Sequence, residues 1–320
     1  MPMTVSVLIA TFNSSSTIRA TLDSVFGQTR QPDEVLVLDD GSTDDTTEIV
    51  RSYGSRITLL PGQHEGVACA RNKLCSRATG DFMAFLDSDD IWHPQYLEYQ
   101  LGLVNDYPRS IAFFTGHVDF HGTASFTWGD NPFSMSRRVE VIEPHAFFRL
   151  YNATTGTFGS MSYCCVPSPV IRSLGPEPFQ TNGADDFYMF NRIAPRGAVV
   201  YASAPLVAYR IAAGSISSDR VVNYGQRVLA FEMLAEYYRQ VPDRRLRIAF
   251  RRAFSSHRRL FSKFLMGAGQ TAEARRQLRQ SLRCQGGLKS FAKSMSWLFL
   301  THCPAKLQPA WPVRHRKLPA

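Results

Sequence analysis

Two apolar segments in the first ninety residues each end in a cluster of aspartates. They are EVLVLDD (34–40) and GDFMAFLDSDD (80–90). Short apolar runs of this kind are typical of buried strands, and open α/β sheets bind ligands beyond the carboxyl ends of their strands. Carboxylates that converge on one crevice suit a divalent cation and the polar edges of a nucleotide. The two clusters therefore predict a crevice for a nucleotide diphosphate.

Strand-like and helix-like patterns alternate through the first hundred residues. Apolar runs of strand length occupy 5–10, 35–38, 57–60 and 82–86. Apolar residues at helical spacing occupy 14–28, 44–53, 66–78 and 94–107. This alternation favours an α/β fold with a mostly parallel, doubly wound sheet.

The pattern becomes less regular after residue 110 and is helical at the end of the chain. Strand patterns at 111–115, 118–120, 199–202 and 206–209 accompany helical patterns at 143–151 and 185–194. From 221 onward, helical spacing covers 228–239, 244–265, 272–283 and 288–300. The sequence therefore predicts a helical C-terminal region attached to the α/β fold.

Charge divides the chain at about residue 220. Residues 1–220 carry 16 Lys and Arg against 23 Asp and Glu, whereas residues 221–320 carry 20 against 4. This asymmetry predicts that the C-terminal region faces an anionic partner, and charge alone admits either a membrane surface or a nucleic acid. The helix predicted at 288–300 combines Lys289 and Lys293 with large apolar residues, which suits the membrane interface. Packing of its apolar face on the rest of the protein is the alternative.

Targeting and cysteine patterns favour a cytoplasmic protein. The chain contains no run of 18 apolar residues that would cross a membrane, and its N-terminus lacks the basic segment of a signal peptide. The six cysteines form neither a CxxC pair nor a zinc-binding spacing, so free thiols in a reducing compartment are expected.

The acidic clusters belong to a set of motifs in a definite order. The motifs are ATFN (10–13), LDDGSTDDT (38–46), ARN (70–72) and GDFMAFLDSDDIWHP (80–94). In this order they resemble the family 2 glycosyltransferases, which have the GT-A fold, over residues 5–100. A weaker match continues through SPVIRSLGPEPF (168–179), DDFYMFNRIA (185–194) and YRIAAGSIS (209–217). The resemblance implies a nucleotide-sugar-binding half at 1–110, an acceptor-binding half at 111–220 and a basic helical region at 221–320.

The resemblance assigns the second aspartate cluster to the family's Asp-x-Asp motif. By position, Asp89 would ligate the metal, with Asp87 and Ser88 near the ribose and pyrophosphate. Oxygen ligands of this kind suit Mn²⁺ or Mg²⁺, and the sequence does not decide between the two ions. An acidic turn that opens the helix after Pro94 is the alternative reading.

The resemblance also implies a pocket for the base. Asp40 would read the base, while Asp39 is expected to be structural. The ATFN segment would line the same pocket through Ala10, Thr11, Phe12 and Asn13, with Phe12 against the base face. An Asx turn for Asp40 and core packing for Phe12 remain open.

Two arginines are further candidates for binding the donor. Arg71 on the third predicted helix would approach the base or a phosphate, unless it forms an ion pair with a strand-end aspartate. Arg210 would clamp the diphosphate from a mobile loop, although a surface role is equally open. A histidine that often follows this arginine in relatives is absent, because Ala212 and Ala213 occupy those positions.

An inverting sugar transfer also requires a base that removes the proton of the acceptor hydroxyl. Asp185 and Asp186 resemble the family's acidic pair, and Asp186 is the expected base, with Asp185 as the alternative. Two carboxylates that stabilise a helix N-terminus are the simpler explanation.

The sequence as a whole favours an inverting, metal-dependent glycosyltransferase. The donor would be a nucleotide diphosphate sugar, most simply a UDP-sugar, and the acceptor a saccharide or a lipid-linked hydroxyl in cell-surface polysaccharide synthesis. An association with the inner face of the cytoplasmic membrane is open, and no nucleic acid is expected. A sugar nucleotidyltransferase is the alternative enzyme, but the ATFNSSST segment lacks the glycines that a phosphate-binding loop requires.

Overall fold

The computed structural model describes residues 3–122, 126–128, 138–152, 160–211, 219–284 and 287–301. Its strands are β1 (Val5–Thr11), β2 (Glu34–Asp39), β3 (Thr58–Pro61), β4 (Phe82–Phe85), β5 (Ile91–Trp92), β6 (Phe113–His121), β7 (Val139–Ile142), β8 (Cys164–Pro167) and β9 (Val199–Ile211). Its helices are α1 (Ile18–Phe26), α2 (Thr46–Arg51), α3 (Val67–Arg77), α4 (Tyr96–Asp106), α5 (Pro144–Asn152), α6 (Ser168–Arg172), α7 (Asp185–Ile193), α8 (Arg220–Gln240), α9 (Arg244–Gly267), α10 (Thr271–Arg283) and α11 (Leu288–Leu300).

The strands form one mixed sheet in the order β3-β2-β1-β4-β8-β6-β9-β5, and β7 pairs with β9. Strands β1 to β4 pair in parallel, as the alternating sequence pattern predicts. Strand β8 then runs antiparallel to both β4 and β6, while β6 and β9 are parallel. The carboxyl ends of β1, β2 and β4 therefore lie at one edge of the sheet, where the aspartate clusters follow β2 and β4.

Helices cover both faces of the sheet. Val5, Val7 and Ile9 of β1 belong to one buried cluster, which includes residues of α1, α2 and α4. Leu8, between them, belongs to a second cluster, which includes residues of α3, α5 and α7. Because side chains alternate between the two faces of a strand, a strand covered on both faces is apolar at nearly every position. This arrangement explains the unbroken VSVLIA run at 5–10.

Two pairs of strand patterns merge into single long strands. Residues 113–115 of the first pattern and the whole pattern at 118–120 lie in β6, and the patterns at 199–202 and 206–209 lie in β9. The pairing register of β6 with β9 shifts on either side of Gly116. A side chain at Gly116 would come within 2.6 Å of the carbonyl oxygen of Ser203, so the close approach of the two strands requires glycine here.

The C-terminal helices share a core with the α/β part. Phe231 of α8 is fully buried, and its ring centroid lies 5.3 Å from that of Phe187 in α7 and 5.2 Å from that of Phe250 in α9. The hydroxyl of Tyr238 donates a hydrogen bond of 2.7 Å to the carbonyl of Asn191 in α7. No helix within the described ranges has the length and apolarity that a membrane span requires. The boundaries at 110 and 220 remain predictions, although β6 and β9 belong to the same sheet as β1.

We predict that Phe231→Ala lowers the free energy of unfolding by about 3–5 kcal/mol, because it removes a buried ring from the contact between α7, α8 and α9. Leu229→Ala on the same helix is the control, since Leu229 is 42% exposed and its loss should change stability by no more than about 0.5 kcal/mol. Denaturant unfolding followed by circular dichroism measures both. Equal stability of the two variants would show that α8 does not share the core of the α/β part.

Candidate active site

The acidic loop (87–90) follows β4 and is held by hydroxyl groups of neighbouring segments. The backbone N–H of Asp87 donates to the Oγ of Ser162 at 3.0 Å. From the other side, the hydroxyl of Thr21 in α1 donates to the carbonyl of Ser88 at 3.0 Å. These bonds fix the backbone of the loop. The positions of its carboxylates depend on their further contacts with charged and polar groups.

Burial and mutual repulsion raise the pKa values in the acidic loop. Burial, followed by the charge of Asp87, raises the pKa of Asp89 to about 6. Asp90 is fully buried, and burial together with the charge of Asp89 holds its pKa well above the usual carboxyl range. One oxygen of Asp90 accepts a hydrogen bond of 2.9 Å from the backbone N–H of Arg210. The loop is therefore an electrostatically unfavourable cluster that a cation would stabilise.

Arg71 of α3 connects the acidic loop to α7. Its guanidinium forms ion pairs with the carboxylates of Asp87 and Asp185, and both Arg71 and Asp185 are buried. The sequence left open whether Arg71 binds the donor or forms an ion pair with a strand-end aspartate, and the ion pair with Asp87 is formed. A contact of Arg71 with the donor remains a prediction.

The two aspartates that open α7 have different surroundings. Asp185 is the partner of Arg71, whereas Asp186 accepts a hydrogen bond from the backbone N–H of Phe187. Burial, with a further contribution from the charge of Asp185, raises the pKa of Asp186 to about 7. The positive charge of Arg227 in α8 opposes this shift. A carboxylate with a pKa near neutrality is suited to accept a proton at neutral pH.

The first aspartate cluster is fixed by backbone amides. Asp40 is buried, and its two carboxylate oxygens accept hydrogen bonds from the N–H groups of Glu65 (3.0 Å) and Gly66 (2.7 Å). One oxygen of Asp39 accepts from the N–H of Ser42 at 2.9 Å. Each carboxylate oxygen of Asp40 has a second lone pair, so it could accept a further hydrogen bond from a ring N–H of a nucleobase. The assignment of Asp40 to base recognition remains a prediction.

Residues 10–13 lie beside this cluster at the end of β1. Ala10 and Thr11 pair with Leu38 and Asp39 of β2. The backbone N–H of Asp40 donates to the carbonyl of Thr11 at 2.8 Å. The ATFN segment and the first aspartate cluster are therefore joined by backbone hydrogen bonds at the same edge of the sheet.

Phe12 and Asn13 differ in how they are held. Phe12 is 40% exposed and is not a core residue, and its ring centroid lies 4.2 Å from that of His64. Asn13 has a left-handed backbone (φ 48°), and its side-chain oxygen accepts from the N–H of Thr43 at 2.8 Å. Asparagine tolerates this conformation better than most residues. The rings of Phe12 and His64 together form an exposed aromatic surface beside the first aspartate cluster.

Arg210 lies at the end of β9 and not on a loop, so its expected position was wrong. The residue is buried, and its Nε donates to the carbonyl of Asp89 at 2.6 Å. Its guanidinium lies 4.3 Å from the ring centroid of Phe120. Strand β9 continues to Ile211 and Arg210 occupies one of its buried positions, whereas the strand pattern in the sequence ended at 209. Arg210 thus braces the acidic loop, and its contact with a diphosphate remains a prediction.

Several residues of the site carried no recognisable sequence signal. Ser160 donates to a carboxylate oxygen of Asp87 at 3.0 Å, and Ser162 holds the N–H of the same residue. Thr21 and Arg227 contribute from α1 and α8. Serine, threonine and arginine are common in ordinary helices and turns, so only the fold reveals that these side chains converge.

The family model for glycosyl transferase family 2 matches residues 6–166, half of the 320-residue chain. The protein therefore belongs to glycosyltransferase family 2. This assignment confirms the family resemblance, and it favours glycosyl transfer over the alternative of a sugar nucleotidyltransferase.

A curated relative is similar over about a third of the chain. It is the UDP-Glc:alpha-D-GlcNAc-diphosphoundecaprenol beta-1,3-glucosyltransferase WfgD of Escherichia coli, which is 39% identical over 117 residues. The match covers 36% of this chain and 46% of WfgD, so the chain spans about half the length of the curated relatives it matches.

Solved structures confirm the GT-A fold. S. aureus TarS 1-349 in complex with UDP-GlcNAc superposes with a TM-score of 0.67 at 15% identity, covering 93% of this chain and 90% of the TarS 1-349 chain. The mannosyltransferase PcManGT from Pyrobaculum calidifontis, in complex with GDP-Man and Mn²⁺, gives a TM-score of 0.58 at 19% identity, covering 94% and 84%. The coverage includes the helical C-terminal region, so the predicted extension of the α/β fold is confirmed as well.

We predict that Arg71→Gln lowers the free energy of unfolding by about 3–5 kcal/mol, because it leaves the buried carboxylate of Asp185 without its cation. Lys73→Gln on the same helix is the matched control. Lys73 pairs with Glu65 at the surface, and loss of an exposed pair changes stability by about 1 kcal/mol or less. Urea unfolding at neutral pH measures both variants. Equal and small losses would mean that Arg71 does not hold the acidic loop and α7 together.

Proposed function

We propose that the protein is an inverting glycosyltransferase that moves a sugar from a UDP-sugar to a hydroxyl of a saccharide or lipid-linked acceptor in cell-surface polysaccharide synthesis. The observation that carries the proposal is the link made by Arg71. It joins Asp87 of the acidic loop to Asp185, the neighbour of the high-pKa carboxylate Asp186. In this proposal, Arg71 links the donor-binding groups to the base.

The choice of donor is supported by the relatives. The name of WfgD gives UDP-Glc as its donor and an undecaprenol-linked GlcNAc as its acceptor, and TarS was crystallised with UDP-GlcNAc. PcManGT carries GDP-Man, so the fold itself accommodates more than one base. In this chain we assign recognition of the base to Asp40, with Ala10 to Asn13 lining its pocket and the exposed ring of Phe12 against the base face.

A divalent cation fits the acidic loop. Within the described part of the chain, no group of three or more His, Cys, Asp or Glu side chains is arranged to hold a metal. Mg²⁺ and similar ions are commonly held by one or two carboxylates and complete their shell with substrate phosphates and water. Asp89 is the proposed ligand, with Asp87 and Ser88 near the ribose and diphosphate. PcManGT was crystallised with Mn²⁺. When bound, the ion would neutralise charge that develops on the leaving diphosphate.

The remaining steps fall to residues of this chain. Arg71 and Arg210 hold the acidic loop in place and present positive charge beside the diphosphate. Asp186 accepts the proton of the acceptor hydroxyl while the oxygen of that hydroxyl forms a bond to the anomeric carbon. The bond from that carbon to the diphosphate breaks on the opposite side, and UDP leaves. A single displacement of this kind inverts the anomeric configuration.

The proposed acceptor class places the enzyme at a membrane surface. We propose that it works on the cytoplasmic side as a peripheral protein and that the basic region 221–320 faces an anionic leaflet. The net charge of +16 in this region supports that orientation, since anionic lipids attract clustered Lys and Arg.

We predict that Asp186→Asn lowers turnover by roughly 10²–10⁴ with little change in donor affinity, because the amide cannot accept the proton. Initial rates and isothermal titration with UDP-sugar measure the two quantities. Asp185→Asn is the comparison. Loss of turnover in Asp185→Asn with retention in Asp186→Asn would move the role of base to Asp185.

The pH profile provides a second measure of the same residue. A base must be deprotonated to act, and the pKa of Asp186 is raised to about 7. In the unmodified enzyme, kcat/KM should therefore fall as the pH drops below this value. The residual activity of Asp186→Asn should lack that fall.

We predict that Asp89→Ala abolishes the metal-dependent part of UDP binding while the protein stays folded, because a ligand at the end of a strand is not part of the core. Titration of UDP with and without Mn²⁺ measures the effect, and circular dichroism reports the fold. Asp106→Ala makes the same charge change at an exposed position of α4 and should have no effect. UDP affinity in Mn²⁺ that is unchanged by Asp89→Ala would remove Asp89 from the metal site.

A further inference from the structure

The last described helix, α11, turns an apolar face toward solvent. Leu288, Phe291 and Met295 are 89%, 50% and 45% exposed. Their spacing of three and four residues places them on one face of the helix. Most amphipathic helices of a folded protein bury such a face, so its exposure requires an explanation.

The side of α11 that packs inward carries Ser290 and Ser294, followed by the half-buried Trp297 and Leu298. One guanidinium nitrogen of Arg259 in α9 donates to the hydroxyls of Ser290 and Ser294, at 3.1 Å each, and to Ser255 at 2.7 Å. Ser290 and Ser255 also share a hydrogen bond of 2.9 Å between their hydroxyls. Arg259 is buried, so this network attaches α11 to α9 by specific polar bonds. The apolar face is consequently held outward by the way the helix is docked.

Two cations lie along one side of the exposed apolar face. Lys289 and Lys293 are exposed, lie about one turn apart, and alternate in the sequence with the apolar residues. The whole region 221–320 carries 20 Lys and Arg against 4 Asp and Glu. A helix with large apolar residues on one face and cations beside them has the composition of helices that lie in the membrane interface.

We infer that α11 attaches the protein to an anionic lipid surface, with Leu288, Phe291 and Met295 inserted among the lipids and Lys289 and Lys293 at the headgroups. This inference deepens the proposed function by naming the contact that would bring the candidate active site to a lipid-linked acceptor. Only the use of the contact rests on the proposed function; the contact itself is argued from α11. A second copy of the chain is a poorer occupant, because two regions of the same strong positive charge repel each other. A nucleic acid would satisfy the charge but not the apolar residues.

The test uses the full-length chain and vesicles without acceptor or nucleotide sugar, so its outcome does not depend on transfer activity. Co-sedimentation compares phosphatidylcholine vesicles with vesicles that also contain phosphatidylglycerol. We expect strong binding to the anionic vesicles only. The triple variant Leu288→Ser, Phe291→Ser, Met295→Ser should weaken this binding by at least about ten-fold.

A matched control lies on α8. Val222, Leu229 and Met233 are 45%, 42% and 41% exposed and also share one helix face. Replacing these three residues by serine should leave vesicle binding unchanged. The double variant Lys289→Gln, Lys293→Gln should weaken binding by about five-fold per residue at low salt and less at high salt.

Three results would overturn the inference. The first is binding of the α11 triple variant to anionic vesicles as tight as that of the unmodified chain, and the second is an equal loss in the α8 control. The third is a dimer in solution, or binding to duplex DNA, that depends on the α11 residues while vesicles are not bound. Failure of transfer activity with intact vesicle binding would instead count against the proposed function alone.

Discussion

The buried ion pairs of Arg71 are the contact on which the arrangement of the site depends. Arg71 sits in α3, Asp87 follows β4, and Asp185 opens α7. A buried carboxylate without a cation is strongly unfavourable, so the pairs fix these segments relative to one another. The position of Asp186 follows from that of Asp185, its neighbour in the first turn of α7. One guanidinium therefore sets the separation between the acidic loop and the candidate base.

The C-terminal helices support α7 from its other side. Phe187 packs against Phe231, and the carbonyl of Asn191 accepts from Tyr238. Arg227 of α8 places a positive charge near Asp186 and opposes the rise in its pKa. The helical region is thus part of the architecture of the crevice, in addition to carrying most of the positive charge of the chain. Changes in α8 are therefore expected to affect Asp186, the proposed base, through α7.

The sequence predicted the parts of the site that depend on local pattern. Unbroken apolar runs such as 5–10 located strands covered on both faces, and the aspartates at 39–40 and 87–90 followed from where two of those strands end. The ion pair of Arg71 with Asp185 and the influence of the Arg227 charge on Asp186 could not be predicted, because they involve residues far apart in the sequence. Arg210 was misplaced for a related reason. The pairing register of its strand against β6 shifts at Gly116, and only the pairing with β6 shows how far the strand continues.

The opposite charges of the two parts of the chain have opposite consequences for binding. In the acidic part, carboxylates of the loop at 87–90 repel one another and would repel a diphosphate, so a cation between them changes an unfavourable cluster into a binding site. In the basic part, the charges are spread over helical surfaces, an arrangement that suits the extended anionic surface proposed as its partner. The hydrogen bonds of Arg259 orient α11, because they fix which face of this helix is buried and which is exposed. In the proposed function, the nucleotide and the lipid surface therefore use different charges of the protein and do not compete for them.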